Sequence, residues 1–191
     1  MKKIVTLLLL SLTMNSFAQI ADAPENISPL LIGEKIPNII LHDSDGVEVN
    51  TSKILSKKTV LVVYRGGWCP YCNSQLADMQ EIENQIIALG YQIVAVSPDA
   101  PSFLKQTEDK KELKYQLYSD SEGKLAQSLG IAFKREKPKL DKYSEGKNPG
   151  FLPVPTVYVL NKNNEIEFLY INPNYSKRLD GKLLLAVLKS L

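Results

Sequence analysis

The chain is poor in the residues that carry metal and cross-link chemistry, with two cysteines, one histidine and one tryptophan among 191 residues. Structural zinc sites take four ligands and catalytic ones three, so Cys69, Cys72 and the distant His42 are too few. No metal or cofactor is expected on this ground. A surplus of one charge is also missing. The formal net charge is +2, and without Lys2 and Lys3 the 23 basic side chains fall to 21, level with the 21 acidic ones. Nucleic acid and anionic surfaces are therefore not indicated as partners. A long apolar run is missing as well. Ile4 to Leu12 is too short to span a bilayer comfortably, so no stable membrane association is expected of the mature chain.

That short run has its own reading. Met1-Lys2-Lys3, the apolar stretch and the small residues Ser16-Phe17-Ala18 have the three parts of a bacterial export signal. Cleavage after Ala18 would leave Gln19 first and place the protein in the periplasm. No cysteine stands at the cut, which disfavours a lipid anchor. Hydrophobic content of 44% and charged content of 23% are ordinary for a globular chain. The length suits one domain with extra segments: 1–18 as signal, 19–33 as an irregular N-terminal arm, and 34–191 as the folded domain.

Both cysteines lie in Gly66-Gly67-Trp68-Cys69-Pro70-Tyr71-Cys72, three positions apart. The preceding Val60-Leu61-Val62-Val63-Tyr64 reads as a buried strand, and a helical pattern follows. A strand–turn–helix arrangement puts both thiols at a helix N-terminus, where free N–H groups and the helix dipole favour a thiolate. Pro70 suits the first turn, where its missing N–H costs nothing. Export would allow a structural disulfide. A staple across three residues, however, removes little unfolded-state entropy, and a chain this long has no need of one. A redox pair is the favoured reading.

Along the rest of the chain, Ile36–Leu41 reads as a strand, Asp43–Gly46 as a turn and Val47–Val49 as the return strand, giving an N-terminal hairpin. His42 beside the turn is read as solvated, with no role. Leu76, Met79, Ile82, Ile86 and Leu89 draw one helical stripe ended by Gly90. Tyr91–Val96 and Tyr115–Tyr118 read as further strands, with helices over 102–111 and from Asp120-Ser121 to Leu129. This alternation predicts βαβ units around parallel strands. Residues 131–153 break it, as a charged inserted loop that either wanders in solvent or covers substrate. Thr156–Leu160 and Glu165–Ile171 form a hairpin, and a leucine-rich helix over 179–191 ends the chain.

Trp-Cys-x-x-Cys after a buried strand, with Val154-Pro155-Thr156 before a later hairpin, resembles the thioredoxin superfamily. Within it, Val62 to Asn73 and Val96-Ser97-Pro98-Asp99 resemble the peroxiredoxin-like branch, the alkyl hydroperoxide reductase/thiol-specific antioxidant type. The resemblance covers roughly residues 33–191. It implies an α/β, thioredoxin-like fold, with a central mixed β-sheet and helices on both faces. It also implies a cis Val154–Pro155 bond against the cysteine pair. Peroxiredoxins place their peroxide-attacking cysteine at the position of Cys72, a threonine or serine at that of Cys69 and a proline at that of Arg65. Their activating arginine corresponds to Pro155.

The leading expectation is thiol–disulfide exchange, in which Cys69 attacks a substrate disulfide and Cys72 resolves the mixed disulfide. Trp68 would shield the pair, and Pro155 would leave a backbone edge open to a substrate chain. Arg65 and Tyr71 would tune the thiolate, unless Arg65 is a solvated charge and Tyr71 simple packing. The alternative is a thiol peroxidase with Cys72 peroxidatic and Cys69 resolving. Arg65, or less directly Arg178, would then hold the peroxide oxygens. A third reading is a binding domain with a static disulfide. Partners in the enzymatic readings are protein disulfides or small peroxides, with a thiol electron donor or acceptor.

Overall fold

The computed structural model of the protein describes residues 20–111, 113–135 and 137–191, so the expected export segment lies outside the described residues. Among the described residues no helix is long and apolar enough to cross a membrane. The strands are β1 (Ile40–His42), β2 (Glu48–Asn50), β3 (Thr59–Val63), β4 (Gln92–Ser97), β5 (Gln116–Ser119), β6 (Ala132–Lys134), β7 (Phe151–Pro153), β8 (Thr156–Leu160) and β9 (Ile166–Ile171). Seven of them make one mixed sheet in the order β2-β1-β5-β4-β3-β8-β9. Strands β3, β4 and β5 run parallel, and β8 pairs antiparallel with β3.

Strand β3 is at most 1% exposed along its whole length, because both faces are covered. On one side Val60 and Val62 meet Leu76, Met79 and Ile86 of α2 (Pro70–Ala88), Leu104 of α3 (Pro101–Lys111) and Leu184 of α6 (Gly181–Ser190). On the other, Leu61 and Val63 meet Ile54 of α1 (Thr51–Ile54) and Leu125 of α4 (Lys124–Ser128). This two-sided cover is why the strand shows no polar alternation in sequence. The fold class is the expected one, α/β with helices on both faces and an N-terminal β1–β2 hairpin.

Two local expectations change, and one short element was not expected. The first strand is shorter than 36–41, since Pro37 has no N–H for a ladder and the chain around Lys35 makes only an isolated bridge to Glu165. The four-residue α1 was too short to leave a period. Residues 131–153 are also more ordered than a plain loop. Their apolar ends pair as β6 and β7, with Phe133 opposite Leu152, and α5 (Pro138–Tyr143) fills the middle. The charges between these ends hid the pairing.

The N-terminal arm is tied to this excursion. Ala21 N donates to Ala132 O (3.0 Å) and Ser28 N to Gly130 O (3.1 Å). A Cβ on Gly130 would stand 1.9 Å from Ser28 O, so only glycine allows the approach.

Helix α4 starts from Gly123, and the buried Asp120 carboxylate accepts from Leu125 N (3.0 Å) and Ala126 N (2.9 Å). Asp120→Ala leaves these buried donors unpaired and should cost about 1–3 kcal/mol in urea denaturation. A loss below about 0.5 kcal/mol would contradict this assignment.

Candidate active site

The β3–α2 turn is built from both sides. Cys69 is the N-cap of α2 in extended conformation (φ −93°, ψ 116°), and Pro70 follows as the first helical residue. Cys69 N donates to Gly66 O (3.1 Å), and Asn73 N to Cys69 O (3.0 Å). From the segment after β4 the Asp99 carboxylate accepts Gly67 N–H at 2.6 Å, while Asn73 Nδ2 donates to Gly67 O at 2.9 Å. Gly66 has φ +134°, and a Cβ there would meet Trp68 Nε1 at 2.4 Å and Asp99 Oδ1 at 2.7 Å. The turn therefore tolerates no side chain at this point. Burial raises Asp99 to about 7, opposed by the Gly67 and Ser97 bonds and aided by charge at Cys69.

Cys69 and Cys72 are free thiols, 1% and 0% exposed. They do not share charge evenly. The hydrogen bond from the Cys72 thiol is the largest influence on Cys69 and lowers it from 9.0 to about 5; burial works against this, while the Cys72 backbone N–H, Arg65 and Arg178 add to it. Cys72 is pushed well up, first by burial and then because its proton is engaged by Cys69. Near neutral pH the pair thus holds one proton and one negative charge.

Two arginines face this charge. Arg178 Nη2 donates to Cys72 Sγ at 3.3 Å, and Nη1 donates to Gln75 Oε1 at 3.1 Å. Arg178 comes from the segment between β9 and α6, which also carries Tyr175. Arg65 is only 6% exposed and is not the solvated charge that one reading allowed. Its guanidinium lies 4.2 Å from the Tyr175 ring centroid and 5.4 Å from that of Trp68. Tyr71 is 46% exposed and packs edge-on against Tyr175 at 5.7 Å, which fits the packing reading.

Trp68 bridges two clusters. It packs against the core that contains both cysteines, against Phe133, Leu140 and Leu152 of the 131–153 excursion, and against Val154 just after it. His42 stays apart, on β1, three strands from β3 in the sheet. Among the described residues no three His, Cys, Asp or Glu side chains could hold a metal ion.

Pro155 corrects the thioredoxin-based expectation. No peptide bond among the described residues is cis, so Val154–Pro155 is trans. The extended path suits a trans bond, because Val154 N donates to Ile131 O (2.9 Å) and Val154 O accepts from the Thr156 hydroxyl (2.8 Å). The backbone edge expected to stay open for a substrate chain is thus taken by the protein itself. Sequence reasoning gave Asp99 no role and gave Arg178 only a secondary one. The Val-Ser-Pro-Asp stretch was the signal for the former. Nothing local marks the latter, which reaches the site only through the β8–β9 hairpin and the turn after it.

The AhpC/TSA family matches residues 32–169 of the chain. The chain belongs to the AhpC/TSA family. With that membership comes the enzyme class, an oxidoreductase acting on thiols, disulfides or peroxides. Over 105 residues it is 30% identical to the putative peroxiredoxin bcp of Haemophilus influenzae, covering 55% of this chain and 68% of that one. Over 159 residues it is 26% identical to the chloroplastic peroxiredoxin Q of Oryza sativa subsp. japonica, covering 83% and 67%. In fold it resembles reduced Prx3 from Vibrio vulnificus in complex with H2O2, with a TM-score of 0.73 over 83% of this chain and 99% of that one. At 17% identity this last likeness is one of fold alone.

The origin of the thiolate within this AhpC/TSA site can be tested by alkylation. The rate of iodoacetamide labelling of the reduced protein should rise through about pH 5. Cys72→Ala removes the main stabilising donor and should move the inflection up by more than a unit. Arg178→Met should move it less. An unchanged inflection in Cys72→Ala would contradict the shared-proton description.

Proposed function

We propose that the protein is a thiol-dependent peroxidase that cycles a Cys69–Cys72 disulfide. The observation that carries this reading is the Arg178 guanidinium on Cys72 Sγ at 3.3 Å. It restores a cation beside the cysteine that stands at the peroxidatic position of the family, although the family's arginine position holds Pro155. Family membership and the peroxiredoxin names of the relatives support the same reading. The occupied backbone edge at Val154 removes one means of holding a peptide disulfide.

In the reaction, the Cys72 proton crosses to the Cys69 thiolate along the bond that already joins them. Cys69 then stands as a donor where the family keeps a hydroxyl, and the Cys72 thiolate faces Arg178. Its sulfur attacks the distal peroxide oxygen, the O–O bond breaks, and the leaving oxygen takes up a proton from solvent and departs as water or an alcohol. Cys72 is now a sulfenic acid. The Cys69 sulfur attacks Cys72 Sγ, and the hydroxyl leaves as water with the Cys69 proton. The two cysteines have given two electrons to one peroxide, and an external thiol donor returns them by exchange.

Exchange begun by Cys69 is the second reading, favoured by the lowered pKa of that thiol. The periplasmic location is proposed from residues 1–18, with their basic start, apolar run and Ser16-Phe17-Ala18.

Single-turnover peroxide consumption separates the two reactions. Cys69→Ser should consume about one equivalent of peroxide and accumulate a dimedone-reactive sulfenic acid at Cys72, while Cys72→Ser should lose at least about a hundredfold in rate. A Cys72→Ser protein that keeps the wild-type peroxide rate would overturn the assignment. A wild type that reduces disulfides but not peroxide would favour exchange.

A further inference from the structure

Arg65 stands where the family keeps a proline, and it brings a second cation into a site that already has Arg178. A guanidinium that is 6% exposed ordinarily has a carboxylate beside it, because burying an unpaired charge is costly. Arg65 has none: among the described residues its side chain makes ring contacts with Trp68 and Tyr175 and no ion pair. Its Nε is buried without a partner, as are Trp68 Nε1 and Arg178 Nε. The two arginines stand near a dithiol that carries a single negative charge, while Trp68 Nε1 lies by Gly66 with Asp99 Oδ1, an acceptor also without a partner. Two arginines against one thiolate leave the site with a positive charge to spare.

The field extends outward from the site. Lys137, at the N-terminal end of α5 in the excursion that packs on Trp68, is lowered first by burial and then by the like charges of Arg135, Arg65 and Lys139. Asp99, raised to about 7 by burial, is about half ionised near neutrality and offsets only part of this positive charge. Arg65 and these cations thus lie within electrostatic reach of one another and make a positive approach beside the site. With both sulfurs at most 1% exposed, a small molecule fits this approach better than the surface of a folded protein.

We propose that Arg65 selects the substrate, and that the substrate is an organic hydroperoxide bearing a carboxylate. The carboxylate would pair with the Arg65 guanidinium while Arg178 and Cys72 engage the O–O group. The redox chemistry is that of the peroxidase reading, on which this inference rests: two thiols and ROOH give a disulfide, ROH and water.

The test compares cumene hydroperoxide with its ring-carboxylated counterpart as substrates of the full-length mature protein, at low and at high salt. Wild type should prefer the anionic peroxide in kcat/KM by about tenfold at low salt, the scale of one partly desolvated charge contact. The preference should shrink at high ionic strength. Arg65→Met should bring the ratio near one, and Arg65→Lys should keep most of it because the charge remains. Equal kcat/KM for the two peroxides in wild type, or a ratio unchanged in Arg65→Met, overturns the selection and leaves the peroxidase reading standing. Consumption of neither peroxide overturns both.

Discussion

The interaction on which this site depends is the single proton held between Cys69 and Cys72. It keeps one sulfur charged at neutral pH inside a core where an isolated thiolate would be expelled. Burial alone drives both thiols toward neutrality; the hydrogen bond between them, with two guanidiniums nearby, reverses this for one of the pair. Much of the surrounding structure holds that geometry. Asp99 fixes Gly67, Asn73 ties the turn to α2, and Gly66 keeps clear the space that Trp68 and Asp99 crowd.

The scaffold shows how one catalytic arrangement can be rebuilt from other positions. The hydroxyl of the family is replaced by a second thiol, Cys69, which can both donate a hydrogen bond and close the disulfide. The arginine is replaced by Arg178, from the segment that follows β9. The proline gives way to Arg65, a change that adds charge and calls for aromatic cover. The Trp68 and Tyr175 rings provide that cover.

What could be read in advance followed from distance along the chain. The β3–turn–α2 unit is local, so its buried run, glycines, Pro70 and CxxC gave the thiols their place at a helix cap. The five buried residues of β3 likewise betrayed a covered central strand. Contacts between remote segments were silent. Arg178 and Tyr175 lie about a hundred residues from the cysteines and carry no pattern of their own. The pairing of Phe133 with Leu152 was hidden by the charged stretch between them. The expectation of a cis bond at Pro155 failed because Val154 is drawn into bonds with Ile131 and Thr156 that extend the chain.

The most direct test of the shared proton is to count thiolates by their absorbance near 240 nm as the reduced protein is titrated, with the disulfide form as baseline. One thiolate per chain should be present from about pH 6 upward, and a second should form only above the ordinary thiol value of 9.0. Two thiols ionising together near 9.0, with no plateau at one charge, would contradict the account.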